Sequence, residues 1–314
     1  MLYRLILILF LGLIFTACSP EPPSDLQEVI LVLDWTPNTN HTGFFVAIER
    51  GYFEEEGLEV EVIQPFEDGA IPLVAAGHGE FGISFQEEVI VAVNAAVPLP
   101  IVANAALVEH NTSGVLSLAA HGITSFAHLE GRTFGTWMIP IYDEIIKEAV
   151  YLDGGDPSLI EFLPHTALDN ITAVTTLFDA VWVFEGWDKV IADRLGLETN
   201  FLPIKDISPV FDYYTPVLIT HKDLANTQLE QAFLRASQRG FEFAKNNPEE
   251  SALILHSFAP EMDIEILIAS QEFLSRAYFS HTWGYINEER WMRFFYWMRD
   301  RGFISPYADN PGLP

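Results

Sequence analysis

The feature that most constrains the fold is a repeated alternation of short apolar segments with helix-spaced segments. Segments 29–34, 58–64 and 81–84 are apolar or alternate between apolar and polar residues, as buried or half-buried strands do. Segments 42–50 and 70–76 have helical spacing, and each is followed by a glycine, which suits the end of a helix. This order of strands and helices predicts an α/β fold with a parallel sheet covered by helices on both faces.

The same alternation continues through the rest of the chain. It predicts strands at 133–137, 161–163, 179–184 and 215–220, and helices at 141–152 and 229–245. The chain after Leu224 is predicted to be helical throughout, with an aromatic-rich last helix that packs in the core. The length of 314 residues favours two domains, or one domain split into two lobes.

The charge balance argues against nucleic acid as a partner. The chain has 16 Lys and Arg against 44 Asp and Glu, a formal net charge of −28. A nucleic acid would be repelled, and no basic run offsets this repulsion. Adjacent acidic residues such as Glu87 and Glu88 are predicted to form a solvated face.

The N-terminus has the pattern of a secretory signal. An apolar run of twelve residues, 5–16, is too short to span a bilayer and has the length of a signal-peptide core. It ends in Phe15-Thr16-Ala17-Cys18, which resembles the bacterial lipobox, where the cysteine is lipidated. We therefore predict a signal peptide at 1–17, a lipid on Cys18, a polar linker at 18–27 and a location on the extracytoplasmic face of the cell membrane. The alternative is a plain signal peptide with an incidental cysteine.

No sequence pattern indicates a metal, a cofactor or a catalytic centre. Cys18 is the only cysteine, so neither an intrachain disulfide nor a cysteine-rich zinc site can form. The nine histidines lie in no H-x-H or H-E-x-x-H pattern, and no G-x-S-x-G elbow is present. Segment 77–82 spells G-x-G-x-x-G, but it stands between a helix and a strand, the reverse of a dinucleotide site. No bound cofactor and no metal ion are predicted.

The segment from Asp34 to Gly43 (DWTPNTNHTG) is the best candidate for a binding site. It follows the carboxyl end of the first predicted strand, where α/β sheets bind their ligands. It combines an aromatic ring with short polar side chains, the mixture found in small-molecule pockets.

Six ordered motifs, this one included, resemble a known family. They are 34–43, 51–58 (GYF with EGL), 84–87 (SFQE), 110–114 (HNTSG), 184–188 (FEGWD) and 212–217 (DYYTPV). The family contains fungal thiamine pyrimidine synthases and bacterial solute-binding proteins for thiamine pyrimidine precursors and for riboflavin. The resemblance implies a two-lobe periplasmic-binding-protein fold of type II with the ligand in the cleft between the lobes. The motifs then assign 28–115 and 215–314 to lobe 1 and 116–214 to lobe 2.

The resemblance also implies which residues hold a flat heterocyclic ligand. Four would stack on its ring: Trp35, Phe85, Trp137 and Trp187. Those that would bind its polar edge are Asn38, Gln86, Asn111, Glu185 and Asp212. Tyr214 could stack or bind the edge, and Tyr142, which departs from the family pattern, would line the slot.

Departures from the family pattern favour riboflavin as the ligand. Pyrimidine-binding relatives usually have Gly-Trp-Gly-Ser-Pro and then a Glu where this chain has Thr136-Trp137-Met138-Ile139-Pro140 and Tyr142, and they often have Tyr in place of Phe85. Met138, Ile139, Tyr142 and Phe85 would line a larger, more apolar slot, which suits a tricyclic ring. The alternative ligand is a thiamine pyrimidine precursor, either formylaminopyrimidine or hydroxymethylpyrimidine.

The resemblance implies a binding protein that delivers its ligand to the permease and ATPase subunits of an ABC importer. An enzyme of pyrimidine synthesis on the same fold is the alternative of a different class. The fungal enzymes consume their own histidine and need a cysteine-rich iron motif, whereas this chain has only Cys18. We therefore expect no enzymatic activity.

Overall fold

The computed structural model describes residues 26–65, 69–165, 169–277 and 282–314. The predicted signal peptide and Cys18 lie outside these residues. Two five-stranded sheets form the centre of the molecule. In sequence order, the first sheet contains β1 (Gln27–Val32), β2 (Leu58–Ile63), β3 (Phe81–Ser84), β4 (Ile101–Ala106) and β10 (Val217–His221), and the second contains β5 (Ser113–Leu118), β6 (Thr133–Thr136), β7 (Glu161–Pro164), β8 (Ala180–Phe184) and β9 (Thr199–Pro203).

The sheets are mixed, so the prediction of a parallel sheet is correct only in part. The strand orders are β2-β1-β3-β10-β4 and β7-β6-β8-β5-β9. In the first sheet β1 is parallel to β2 and β3, but β10 is antiparallel to both of its neighbours, β3 and β4. In the second sheet β6 is parallel to β7 and β8, and β5 is antiparallel to β8 and β9. The antiparallel strands are the first strand after each crossing between the sheets, and a period-two apolar pattern does not reveal their direction.

The twelve described helices surround the two sheets. Those between or after the strands of the first sheet are α1 (Thr42–Glu49), α2 (Tyr52–Glu55), α3 (Ala70–Ala75), α4 (Gln86–Val93), α9 (Gln228–Asn246), α10 (Pro248–Phe258), α11 (Ile264–Ala277) and α12 (Glu288–Asp300). Those of the second sheet are α5 (Pro140–Leu152), α6 (Asn170–Thr176), α7 (Val190–Arg194) and α8 (Ile204–Ile207). We call each sheet with its helices a lobe. The residue ranges that the sequence analysis assigns to the two lobes, with one boundary between residues 115 and 116, stay a prediction.

Two glycines let α1 and α9 pack closely in the first lobe. A Cβ on Gly240 would lie 1.9 Å from the carbonyl oxygen of Gly43, and a Cβ on Gly43 would overlap the ring of Phe241. The last residue of the Asp34–Gly43 motif therefore has a packing role.

The C-terminal part is mostly helical, as predicted, and the aromatic helix α12 is part of the core. Trp291, Phe294 and Met298 are fully buried. They belong to a hydrophobic cluster that continues through α4 and α5 and so joins the two lobes. Residues 282–287 are not helical, and Gly284 forms a single bridge with Ala106. In the ranges described above, no helix is long and apolar enough to cross a membrane.

Candidate functional site

A cleft of about 650 Å³ lies between the two sheets. The strands β1, β3, β6 and β8 all end at this cleft, and the residues that follow each strand form its walls. Its lining residues are Asp34, Trp35, Thr36, Asn38, Thr39, Asn40, Phe85, Thr112, Trp137, Tyr142, Asp169, Asn170, Ile171, Phe184, Gly186, Trp187, Asp188, Ile191, Pro216 and Leu274. The carboxyl ends of neighbouring parallel strands are the usual ligand site of α/β sheets.

Six of the eleven predicted ligand residues line this cleft: Trp35, Asn38, Phe85, Trp137, Tyr142 and Trp187. Trp35 is 57% exposed, which is unusual for so large an apolar ring and leaves its face free to stack. The ring of Trp137 packs edge-on against that of Tyr142, with 5.6 Å between the centroids. The cleft thus has aromatic rings on the walls that both lobes contribute.

Hydrogen bonds within the Asp34–Gly43 motif fix the loop that carries Trp35. The His41 Nδ1 accepts from the Asn38 amide at 3.2 Å, so its Nε2 carries the proton and donates to the Asp34 carboxylate at 2.6 Å. The Asn38 side chain accepts from the Asn40 amide at 3.0 Å and donates to the Thr36 carbonyl. The side chains of Asp34, Asn38 and His41 therefore stabilise the conformation of this loop.

Polar groups of the second lobe, which the sequence did not single out, line the opposite wall. Asn170 donates to the Asp188 carboxylate at 3.0 Å, and the Phe184 amide donates to the other oxygen of that carboxylate. His165 in turn bonds to Asn170 at 2.9 Å. Burial raises the pKa of Asp188 and outweighs these bonds. Asp188 is part of the 184–188 motif, and that was the only signal that could have found it.

The cleft carries negative charge. Three carboxyl groups line it, from Asp34, Asp169 and Asp188, and the lining residues named above include no arginine or lysine. The hydroxyl and amide of Thr172 lower the pKa of Asp169 and keep it ionised. Such a wall favours ligands that donate hydrogen bonds or carry positive charge, and it disfavours phosphates.

Two of the remaining predicted ligand residues, Gln86 and Tyr214, are bound to each other in the core. The Gln86 Oε1 accepts from the Tyr214 amide at 2.8 Å, and its Nε2 donates to the Trp291 carbonyl. The Tyr214 hydroxyl accepts from the Asn287 amide at 2.8 Å. Neither side chain lines the cleft.

Of the other three, Asn111 and Asp212 lie where the chain crosses between the lobes, and Glu185 follows β8 and contacts the first crossing through its backbone. Asn111 is fully buried, and its side chain donates to the Phe211 carbonyl and accepts from Ser113. Asp212 accepts from the Asn111 amide at 3.0 Å and from Arg290 at 3.0 Å. The Glu185 amide donates to the Thr112 carbonyl. None of these three predicted residues lines the cleft.

The predicted widening of the cleft by Met138 and Ile139 is wrong. Both side chains are exposed, at 53% and 43%, and neither lines the cleft. Met138 has a φ of +58°, the left-handed conformation that favours glycine and that costs a residue with a side chain about 1 kcal/mol. Its position matches the second glycine of the family pattern.

The prediction of a solvated acidic face at residues 87–88 is wrong for Glu87. Glu87 is 3% exposed, whereas Glu88 is exposed and accepts from the Ser84 hydroxyl. Burial, together with the neighbouring charge of Glu88, raises the pKa of Glu87 to about 8.

A second cavity, of about 760 Å³, lies in the first lobe beside β4 and the start of α12. Tyr214 and Arg290 line it, and the Arg290 guanidinium stacks on the Tyr214 ring at 3.8 Å. It does not lie at the ends of the parallel strands. Neither cavity offers a metal site among the residues described, where no three His, Cys, Asp or Glu side chains cluster.

This is a two-lobe periplasmic-binding-protein fold of type II. The chain crosses twice between the lobes, and the cleft lies between them. The aliphatic sulphonate binding protein SsuA from Escherichia coli has this fold, with a TM-score of 0.71 at 13% identity over 89% of this chain and 94% of that one. The chain belongs to the NMT1/THI5-like family, whose profile matches residues 38–251.

Relatives of this chain include two kinds of named binding protein. A formylaminopyrimidine-binding protein from Halalkalibacterium halodurans is 30% identical over 86% of this chain and 83% of its own length. The riboflavin-binding protein RibY from Chloroflexus aurantiacus is 25% identical over 93% and 86%. Other relatives are named 4-amino-5-hydroxymethyl-2-methylpyrimidine phosphate synthase.

Proposed function

We propose that this protein is the solute-binding component of an ABC importer and that it binds a thiamine pyrimidine precursor of the formylaminopyrimidine type. One observation carries the proposal: the cleft between the lobes presents aromatic rings on both sides and carboxyl groups at its edge. The binding proteins among its relatives support the same class of function.

The polar edge of the cleft favours an aminopyrimidine over riboflavin. An amino group on a ring donates hydrogen bonds, and the Asp188 and Asp34 carboxyl groups accept them. The apolar widening that favoured riboflavin depended in part on Met138 and Ile139, and these two residues lie outside the cleft. The identity with the formylaminopyrimidine-binding relative is also higher than that with RibY.

Riboflavin is the second candidate, and the aromatic content of the cleft favours it. Trp35, Phe85, Trp137 and Trp187 offer more ring surface than a single pyrimidine covers. At about 25 cal/mol per Å², each additional ~100 Å² of buried ring contributes about 2.5 kcal/mol before ordering costs.

We propose binding without chemistry. A synthase of the fungal type would need the cysteine-rich motif, and this chain has one cysteine. Such an enzyme also makes a phosphate ester, which the acidic cleft would repel. We further propose that a lipid on Cys18 holds the protein at the extracytoplasmic face of the membrane, where it would deliver ligand to its permease.

Calorimetric titration of the purified protein with formylaminopyrimidine and with riboflavin tests the proposal. We expect a one-to-one curve with a sub-micromolar Kd for the pyrimidine, about −8 kcal/mol or better, and weaker binding of riboflavin. If riboflavin, measured by the quenching of its fluorescence, bound with a lower Kd than the pyrimidine, riboflavin would become the first candidate ligand. Flavin mononucleotide should bind less tightly than riboflavin because of its phosphate. Failure of both ligands to bind would reject the proposed ligand class.

A further inference from the structure

We propose that Glu87 is a positioning residue for the cleft: from the first lobe it fixes the hydroxyl of Tyr142 on the second lobe, so that ligand binding depends on this bond. The inference deepens the proposed function and rests on it for the identity of the ligand.

The bond between these two residues crosses the boundary between the lobes. The Tyr142 hydroxyl donates to the Glu87 Oε1 at 2.8 Å. Glu87 belongs to α4 of the first lobe, and Tyr142 belongs to α5 of the second. The Trp137 and Trp182 rings pack against the Tyr142 ring, with centroids 5.6 Å and 5.2 Å away, so the ring has little freedom to turn.

This bond sets what Tyr142 can offer a ligand. A phenol has one proton to donate, and in Tyr142 that proton goes to Glu87. Toward the cleft, which Tyr142 lines, its oxygen can only accept a hydrogen bond. A ligand amino group or ring N–H matches such an acceptor, whereas a ligand carbonyl does not.

Glu87 is held in surroundings that do not suit a charge. Its Oε2 is buried and has no hydrogen-bond partner within the described ranges, and Glu87 forms no ion pair there. The titratable groups that act on it are Glu88 on the same helix, Tyr142 on α5 and Tyr213 before β10.

The other elements that pack on α4 supply no compensating charge. Strand β4 contains no ionisable residue, and the arginines at the start of α12, Arg290 and Arg293, pair with Asp212 and Glu289. Because burial raises the pKa of Glu87 to about 8, the carboxyl is neutral at pH 7 while the lobes are in contact. Its proton is then on the unpartnered Oε2, so that Oε1 still accepts from the Tyr142 hydroxyl.

Closure of the lobes is therefore coupled to a proton. Separating α4 from α5 would break the bond to Tyr142 and admit water to Glu87, which would lower its pKa toward the ordinary value of 4.5. The closed form then holds one proton more than the open form between these two pKa values. Ligand affinity should fall as pH rises in that interval, by at most about tenfold per pH unit.

Calorimetric titrations with formylaminopyrimidine at pH 6, 7 and 8 test this inference. The wild-type Kd should rise by about tenfold or more between pH 6 and 8. Glu87→Gln keeps the acceptor oxygen but cannot ionise, so its Kd should rise less between pH 6 and pH 8 than that of the wild type. Glu249→Gln removes an exposed carboxyl on α10 and is the matched control, with the wild-type pH profile.

Two further variants test the hydrogen bond itself. Glu87→Met and Tyr142→Phe should each raise the Kd at pH 6 by about tenfold, and the double variant should be no worse than either single one. Circular dichroism confirms that each variant folds. Equal pH profiles for the wild type and Glu87→Gln, or additive effects in the double variant, would overturn the inference.

A measurement without ligand separates this inference from the proposed function. If the wild type binds neither ligand, the ligand class is wrong, but the coupling of Glu87 to closure can still be measured. The radius of gyration of the ligand-free wild type from small-angle scattering should then be larger at pH 8.5 than at pH 6, and that of Glu87→Gln should not change. A radius of gyration that does not change with pH in the wild type would reject the coupling.

Discussion

The backbone amide of Asn111 donates to the Asp212 carboxylate across 3.0 Å, and this bond joins the two segments that connect the lobes. Arg290 of α12 and His110 bind the second carboxylate oxygen, at 3.0 Å and 2.8 Å. Burial alone would raise the pKa of Asp212, but the bonds from His110 and Asn111 and the charge of Arg290 outweigh it and lower the pKa. This ionised carboxylate therefore stabilises the hinge about which the lobes would move.

We predict that Asp212→Asn lowers the free energy of unfolding at pH 7 by about 1–3 kcal/mol, because it removes a charge that three partners bind. The folded-state pKa of Asp212 lies below its usual 3.8, so its contribution is present above pH 4 and is lost as pH falls through the folded value. Denaturant unfolding at pH 7 and pH 3 should therefore give a smaller difference between variant and wild type at the lower pH.

The control for this prediction is Asp309→Asn, which removes an exposed carboxyl and should leave the unfolding free energy unchanged. If Asp212 instead contacted ligand directly, the variant would lose affinity at pH 7 with little loss of stability. That result would contradict its assignment to the hinge.

Much of the fold could be predicted from the sequence because local patterns determine it. Strand β3 and helix α9 were placed to within one residue, since apolar spacing and flanking turn residues mark both. The direction of β10 was not predictable, because a strand that returns from the other lobe has the same residue pattern in either direction.

The residues of the candidate site were predicted from the family resemblance, and the four rings that it assigns to stacking come shortly after strand ends. Trp35, Phe85, Trp137 and Trp187 follow the ends of β1, β3, β6 and β8, and all four line the cleft. The position of Asn111 in a motif does not distinguish a ligand contact from a hinge contact, because both uses need a polar residue between the lobes.

We predict that Trp35→Ala and Trp187→Ala each weaken ligand binding by about 1–3 kcal/mol, through lost stacking and lost burial. Calorimetry with formylaminopyrimidine measures the change, and circular dichroism should show an unchanged fold. Tyr307→Ala removes a 91% exposed ring away from the cleft and is the control. Wild-type affinity in both tryptophan variants would exclude these rings from the binding site.

We predict that Ser270→Ala accelerates ligand dissociation about 5- to 30-fold. The Ser270 hydroxyl donates to the Gly186 carbonyl, which belongs to the second lobe, and it accepts from the Thr39 hydroxyl at 2.6 Å. Gly186 and Thr39 both line the cleft, and in the variant each loses its hydrogen bond to the Ser270 hydroxyl in the closed form. Stopped-flow fluorescence measures the dissociation rate.

Ser257→Ala, on the exposed end of α10, is the control for the Ser270 variant and should dissociate at the wild-type rate. A dissociation rate for Ser270→Ala equal to that of the wild type would show that the bond to Gly186 does not hold the lobes together.

We predict that Cys18→Ser moves the protein from the membrane fraction to the soluble fraction, because the only thiol that could carry a lipid is removed. Detergent phase partitioning and labelling with a fatty-acid analogue measure the change, and Ser19→Ala is the control. Ligand affinity should not change. A Cys18→Ser protein that remains in the membrane fraction would argue for a different mode of attachment.

The place of β10 in the first sheet has a consequence for the order in which the protein is assembled during synthesis. The strands of the second sheet all come from one continuous stretch, Ser113 to Pro203, whereas β3 and β4 are separated by a strand that begins only at Val217. When a nascent chain has emerged from the ribosome as far as residue 203, it contains every strand of the second sheet. Its first sheet still lacks β10, the strand between β3 and β4. The lobe that begins first along the chain is the one that is completed last.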